Sequence, residues 1–258
     1  MRVLVTGSSN GIGKYIANKI SKKHEVIGLS KSKVSNTYKT FQCDLLNLNE
    51  IKKVKKEIFK NQLRIDALIC AAGIQGKHKR FDQYKSLEWV ESVNANIKLT
   101  FYPIMEFQEY FNLNERFKII CFSGGGATGP RENFSGYSLS KTSIVRMIEN
   151  LSIEWQSLNI DINAVAPGAI YTNMTKEILK LGLKKVGKKE YDSALEAKLL
   201  SNKRLDKLNR LILFLLSEKS NGLTGRLLSA QWDDFEKSNF VNKTIKNKDL
   251  YTLRRITK

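Results

Sequence analysis

Histidine and cysteine are scarce in this chain of 258 residues, with 2 of the first and 3 of the second. His24 and His78 stand apart from any cysteine or acidic cluster, so metal catalysis finds no ligand set and no metal site is expected. Cys43, Cys70 and Cys121 are odd in number, lack CxxC spacing and end apolar segments, which marks them as reduced core thiols. Long apolar runs are missing too; LNRLILFLLSEK is far too short to cross a bilayer. The opening MRVLVTG reads as a strand entering a glycine turn, not as the basic, apolar and cleavage regions of a secretion signal. A cytoplasmic protein with no membrane partner is the expectation. Acids are in deficit, 25 against 44 Lys and Arg, for a formal net charge of +19. Such an excess raises nucleic acid as a partner. The lysines are spread through the chain among Asn and Ile, without a nucleic-acid motif or aromatic-basic interleaving, so no nucleic-acid partner is expected.

What is present is an alternation of short apolar strands and amphipathic helices, which predicts an α/β fold with a parallel sheet covered on both faces. One domain is expected over residues 1–235, followed by a basic tail at 236–258. The segment Arg2 to Val5 is a strand; Thr6-Gly7-Ser8-Ser9-Asn10-Gly11-Ile12-Gly13 follows, then a helix with Ile12, Ile16 and Ile20 on one side. A glycine turn between strand and helix lets backbone approach a pyrophosphate while the helix N-terminus offers free N–H groups. The next strand, Glu25 to Leu29, ends in Ser30-Lys31, where an acid would otherwise hold the adenosine ribose hydroxyls. With no acid there, Lys31 and Lys33 are candidates to pair with a 2′-phosphate, so NADP(H) is favoured over NAD(H); the competing reading is a solvated loop lysine. Asp44, before Leu45, is placed to receive an adenine amino group, and Ala72-Gly73, after Ala71, to let a ribose pass close to backbone.

Tyr137 and Lys141 stand four residues apart in GYSLSKTSIVRMIENLSIEWQSL, which sets a phenol and an ammonium on one helix face. The stripe continues through Ile144, Ile148, Leu151, Trp155 and Leu158, so that face is expected to be buried. An ammonium beside a phenol favours the phenolate, and such a tyrosine trades a proton near neutral pH.

TGSSNGIG at 6–13, CDL at 43–45, CAAG at 70–73, YSLSK at 137–141 and NAVAPGAIYT at 163–172 fall in one order. With them the chain resembles the short-chain dehydrogenase/reductase family in its compact single-domain form. The resemblance implies a Rossmann-like doubly wound sheet of about seven strands, an NAD(P) cofactor and a tetrad of Asn, Ser, Tyr and Lys. By position the asparagine is Asn96, with Asn94 its rival; Tyr137 is the acid/base, and Lys141 binds the nicotinamide ribose and lowers the tyrosine pKa. Pro167-Gly168 turns the chain so that Ile170 backbone and the Thr172 hydroxyl hold the nicotinamide carboxamide. The family serine lies thirteen residues before the tyrosine, and here that position is Gly124. Ser123 is favoured for the role, against Ser135 or no serine at all. CAAG replaces the usual NNAG, which removes two side-chain amides.

The implied activity is reversible reduction of a ketone to a secondary alcohol, on a small-molecule substrate selected by a lysine-rich lid at 171–202, with a sugar or nucleotide-sugar as one candidate. The family's habit implies a homodimer or homotetramer. The rival reading is a non-catalytic NAD(P)-binding sensor or structural subunit.

Overall fold

The computed structural model describes residues 1–60 and 64–255. Seven parallel strands form one sheet in the order β3-β2-β1-β4-β5-β6-β7, as the alternation of strands and helices predicts. The strands are β1 (Arg2–Thr6), β2 (Glu25–Ser30), β3 (Lys39–Gln42), β4 (Ala67–Cys70), β5 (Phe117–Phe122), β6 (Ile160–Ala166) and β7 (Leu227–Ser229). The helices are α1 (Gly11–Ile20), α2 (Leu48–Ile58), α3 (Ser86–Phe107), α4 (Ser135–Glu154), α5 (Asn173–Leu181), α6 (Leu183–Val186), α7 (Lys188–Leu216) and α8 (Phe240–Lys246). Every residue of β4 and β5 is buried, as a parallel sheet with both faces covered requires. Alternate residues of β1 feed opposite layers: Leu4 packs with Ile51, Ile104 and Ile148 of α2, α3 and α4, while Val3 and Val5 pack with Ile16 of α1 and Leu208 and Ile212 of α7. The strand order turns back between β1 and β4, and the carboxyl ends of that pair open a crevice, the place where doubly wound sheets bind ligands.

Three boundaries differ from the sequence reading. Helix α4 ends at Glu154, so its buried stripe is Lys141, Ile144, Val145 and Ile148, and Leu158 lies beyond it, exposed. The lid does not stop near 202: α7 runs unbroken from lid to core, because no Gly or Pro interrupts Lys188–Leu216. The basic tail is packed on the body as far as it is described; residues 256–258 lie outside the described part. The Arg226 guanidinium donates to the Thr244 and Leu250 carbonyls at 3.2 and 3.1 Å, and Leu227 N–H donates to the Tyr251 carbonyl at 2.8 Å. Glu149 accepts from Leu253 N–H at 2.9 Å and pairs with Arg254. The three cysteines are free and buried. Among the described residues no helix is long and apolar enough to cross a membrane, and no cluster of metal-ligating side chains occurs.

Candidate active site

The glycine turn closes tightly because two glycines leave no room for side chains. A Cβ on Gly7, whose φ is +68°, would lie 2.8 Å from the Ala72 backbone, and one on Gly13 would lie 2.3 Å from the Gly7 carbonyl. Thr6 Oγ1 accepts from Ala72 N–H at 3.1 Å, and the Tyr38 hydroxyl donates to the Ser8 carbonyl at 3.0 Å, which fixes the turn against the segments that follow β4 and precede β3. At the start of α1 no side chain caps the helix and no acid sits in its first turn. Its first amides are therefore available to an anion, and the turn fits a pyrophosphate.

A cleft of 560 Å³ runs along the carboxyl ends of the central strands. Gly7, Ser9, Asn10, Gly11, Ile12 and Gly13 form one side; Ser30, Lys31, Asp44 and Leu45 form the far end; Ala71, Ala72, Gly73 and Thr172 form the floor and the lid side. The sequence reading missed Ile74, Gln75, Gly76, Met174 and Glu177, which also line it. Nothing in their spacing singles them out; they follow from where the β4–α3 loop and α5 fall. The structure joins the two residues assigned to the adenosine end, since Lys31 Nζ and an Asp44 carboxylate oxygen are 2.7 Å apart. The pair holds the Asp44 carboxyl below its usual range and raises the Lys31 ammonium. The Ser30 hydroxyl donates to the Ser32 carbonyl at 2.7 Å.

On the opposite side of Gly73 stand Asn96 and Lys141. A Cβ on Gly73 would lie 3.3 Å from Asn96 Oδ1 and 3.7 Å from Lys141 Nζ. The Asn96 amide pairs twice with Ile74, accepting from its N–H at 3.0 Å and donating to its carbonyl at 2.8 Å. Asn94 is exposed on the far side of α3. Lys141 is buried and donates to the Phe122 carbonyl at 2.9 Å. Burial pulls its pKa down to about 8. Its Nζ lies 5.6 Å from the centre of the Tyr137 ring.

Burial raises the Tyr137 pKa, and the Arg131 cation, over the same ring at 5.4 Å, opposes that rise; the Lys141 ammonium donates to the Phe122 carbonyl. Ser123, at 3% exposure, does not face the tyrosine. Its N–H continues the β5–β6 ladder to the Val165 carbonyl at 2.9 Å, and its hydroxyl donates to the Lys141 carbonyl at 3.1 Å. A Cβ on Gly124 would instead lie 3.5 Å from Tyr137 Oη, so the position that looks at the phenol carries no hydroxyl. The Ser135 hydroxyl accepts from the Trp89 indole at 2.9 Å.

After β6, the Pro167-Gly168 turn is held by residues that sequence reasoning did not pick. Gln231 donates to the Pro167 carbonyl at 2.9 Å, and Arg204 to the Ala169 carbonyl at 2.9 Å. Ile170 is buried, and its carbonyl accepts from the Thr175 hydroxyl; Thr172 caps α5 through a reciprocal pair with Thr175 and reaches the rim of the cleft. Above Tyr137 the lid is tied down by a bidentate Arg131–Glu190 pair at 2.8 and 2.5 Å, with Arg131 stacked 4.2 Å from the Phe134 ring.

A doubly wound parallel sheet with an uncapped glycine turn at its switch point defines a dinucleotide-binding protein of the Rossmann kind. The short chain dehydrogenase family model matches residues 1–181, and the chain belongs to that family. It is a nicotinamide-dependent oxidoreductase of the kind that acts on CH–OH groups. The 3-oxoacyl-(acyl-carrier-protein) reductase FabG of Buchnera aphidicola subsp. Baizongia pistaciae is 30% identical over 236 residues, covering 87% of this chain and 93% of the relative. The glucose 1-dehydrogenase of Gluconobacter oxydans is 29% identical over 187 residues, covering 66% and 70%. In fold, ligand-free Thermoplasma acidophilum aldohexose dehydrogenase superposes with a TM-score of 0.76 at 23% identity, covering 88% of this chain and 91% of that one.

Proposed function

We propose that this protein reversibly reduces a ketone to a secondary alcohol, with Tyr137 as the acid/base. The observation that carries the reading is the meeting of Lys141 and Asn96 at Gly73, a residue of the cleft that begins at the uncapped N-terminus of α1, with the Tyr137 ring centre 5.6 Å from Lys141 Nζ. The α1 amides receive the pyrophosphate; Ala71–Gly73, Ile170 and Thr172, with the turn at Pro167-Gly168 behind them, hold the nicotinamide end. When bound, the reduced dinucleotide supplies a hydride to the carbonyl carbon. Tyr137 gives its proton to the carbonyl oxygen, and the Lys141 ammonium, 5.6 Å from the ring, stabilises the phenolate left behind. Ser123 supports the backbone of Lys141 and leaves the carbonyl oxygen to Tyr137. The substrate is a small carbonyl or alcohol compound, with a sugar or nucleotide-sugar as one candidate. The protein works in the cytoplasm as a homodimer or homotetramer.

NADP(H) is the preferred cofactor in this reading. Its support is the absence of a carboxylate at the end of β2 and the position of Lys31 on the cleft rim, although the Asp44 partner offsets part of that charge. Absorbance of the reduced nicotinamide, followed across simple ketones, keto sugars and 3-oxoacyl thioesters with each dinucleotide, tests both claims. Turnover with higher kcat/KM for NADPH is expected, and Lys31→Ala is expected to erase the difference. A higher kcat/KM for NADH contradicts the cofactor assignment. The missing hydroxyl at Gly124 favours a second reading, a non-catalytic dinucleotide sensor, which predicts saturable NADPH binding and no turnover on the whole panel.

A further inference from the structure

Arg131 belongs to none of the motifs read from the sequence, yet it lies against the tyrosine from outside the tyrosine's own helix. Its guanidinium carbon is 4.2 Å from the centre of the Phe134 ring and 5.4 Å from the centre of the Tyr137 ring. Glu190, in the first turn of α7, accepts two bonds from the guanidinium fork at 2.8 and 2.5 Å. Both side chains are largely buried, at 17% and 12% exposure. A planar cation stacked on one ring and forked onto a carboxylate has little freedom left. The lid therefore fixes this charge beside the phenol.

A cation near a phenol favours its ionised form, and the ring gains electron density on losing the proton, so the contact strengthens with the phenolate. Two cations lie near this ring, Arg131 at 5.4 Å and Lys141 at 5.6 Å. They do not keep their charge equally. Burial pulls the Lys141 pKa down to about 8, whereas a guanidinium stays charged throughout, so above that pH Arg131 is the cation that remains. Burial raises the Tyr137 pKa, Arg131 opposes the rise, and Glu190, the weaker of the two charges, supports it. Among the described residues, the other elements of the cluster meet the tyrosine with Ile178 of α5, Val186 of α6 and Ala194 of α7, and Tyr191 packs on the same cluster. Glu177 of α5 and Lys185 of α6 act on His78, which packs on the far ring, Phe134.

We propose that Arg131 is a positioning residue of the reaction, acting through Tyr137: its guanidinium supports the phenolate, and Glu190 of the lid both holds that guanidinium in place and offsets part of its charge. The inference rests on the assignment of Tyr137 as acid/base and deepens it by naming the group that sets the phenol's acidity. The test follows the ultraviolet absorbance of tyrosinate through a pH titration of the full chain, read as the difference between each protein and its own Tyr137→Phe counterpart. Arg131→Met is expected to move the Tyr137 titration up by about half a unit to one unit. Glu190→Gln keeps an acceptor for the guanidinium and removes the opposing charge, so it is expected to move the titration down by a similar amount, about half a unit. Arg131→Lys keeps the charge without the fork and is expected to recover at least about half of the shift seen in Arg131→Met. The same directions are expected in the pH profile of alcohol oxidation by NADP⁺, which needs the phenolate, measured on the alcohol of whichever panel ketone turns over fastest. A pair that served structure alone would change stability and leave the titration where it was. An unmoved titration in Arg131→Met, an upward move in Glu190→Gln, or a kinetic profile that does not follow the titration overturns the inference. If Arg131→Met unfolds before its phenol titrates, the sign of the Glu190→Gln shift decides. Failure of the underlying reading looks different: NADPH does not bind, no ketone turns over, or Tyr137→Phe keeps the wild-type rate.

Discussion

At the scale of single residues, the site departs most from expectation opposite the phenol. Gly124 holds the place from which a side chain would meet Tyr137 Oη, so Gly124→Ser supplies a hydroxyl where the reacting carbonyl oxygen has Tyr137 alone. Preorganised donors of this kind are worth about 10²–10³ in kcat when removed, and a gain of about tenfold in ketone reduction is expected on adding one. Ser123→Ala should cost stability and little rate; abolished turnover with intact NADPH binding would return the role to Ser123. The second residue-scale prediction concerns pH. Lys141 is charged below about 8 and neutral above it, while burial keeps Tyr137 protonated past its ordinary range. Reduction is therefore expected to be flat below about 8 and to fall as pH rises through it, and Lys141→Met should remove that inflection. The sign for stability is the reverse. The folded site binds fewer protons than the unfolded chain between about 8 and 10.5, so its burial penalty is full below about 8 and is relieved as pH rises through that window. The spacing of Tyr137 and Lys141 was readable because a helix fixes it. The orientation of Ser123 was not, because a one-residue offset in a strand reverses the face, and only the bond to Val165 sets the offset.

At the scale of elements, the lid is the part most dependent on a few contacts. The joints Gly182 and Gly187, with φ of +78° and +84°, separate α5, α6 and α7, and the Arg131–Glu190 pair fastens the first turn of α7 to the β5–α4 loop. Glu190→Gln leaves a largely buried guanidinium with a neutral partner and is expected to cost about 1.5–3 kcal/mol locally. Limited proteolysis should then cut first between Gly182 and Gly187, faster than in the wild type; an unchanged cleavage rate would show that the apolar cluster of Phe134, Ile178 and Val186 holds the lid by itself. The strands and the first helices were legible because their apolar periods of two and 3.6 were unambiguous. The lid was legible only as lysine-rich helix. Its division by two left-handed glycines and its fusion to the core helix depend on tertiary packing, and so do the supports that Gln231 and Arg204 give to the Pro167-Gly168 turn.

At the scale of the molecule, the C-terminal segment is structural rather than appended. Ending the chain before Phe240 strips the Arg226 guanidinium, 9% exposed, of the carbonyls of Thr244, Lys248 and Leu250, and a loss of about 1–3 kcal/mol or more is expected in denaturant unfolding. Unchanged stability would mean that the segment only rests on the surface. Its composition suggested a basic tail because the buried Phe240 and Thr244 are outnumbered by lysines, and because the side chain that anchors it, Arg226, lies outside the segment itself. In the proposed reading the fold serves function by bringing the N-terminal glycine turn together with the Tyr137–Lys141 pair, far apart in sequence, through Gly73, which lines the cleft and lies against Lys141. NADPH binding and ketone-dependent NADPH oxidation, measured on the wild type and Tyr137→Phe side by side, test that most directly. Equal binding with turnover lowered about 10²–10⁴-fold in the variant is the predicted result. Undiminished turnover in Tyr137→Phe, or a wild type that does not bind the dinucleotide, would contradict it.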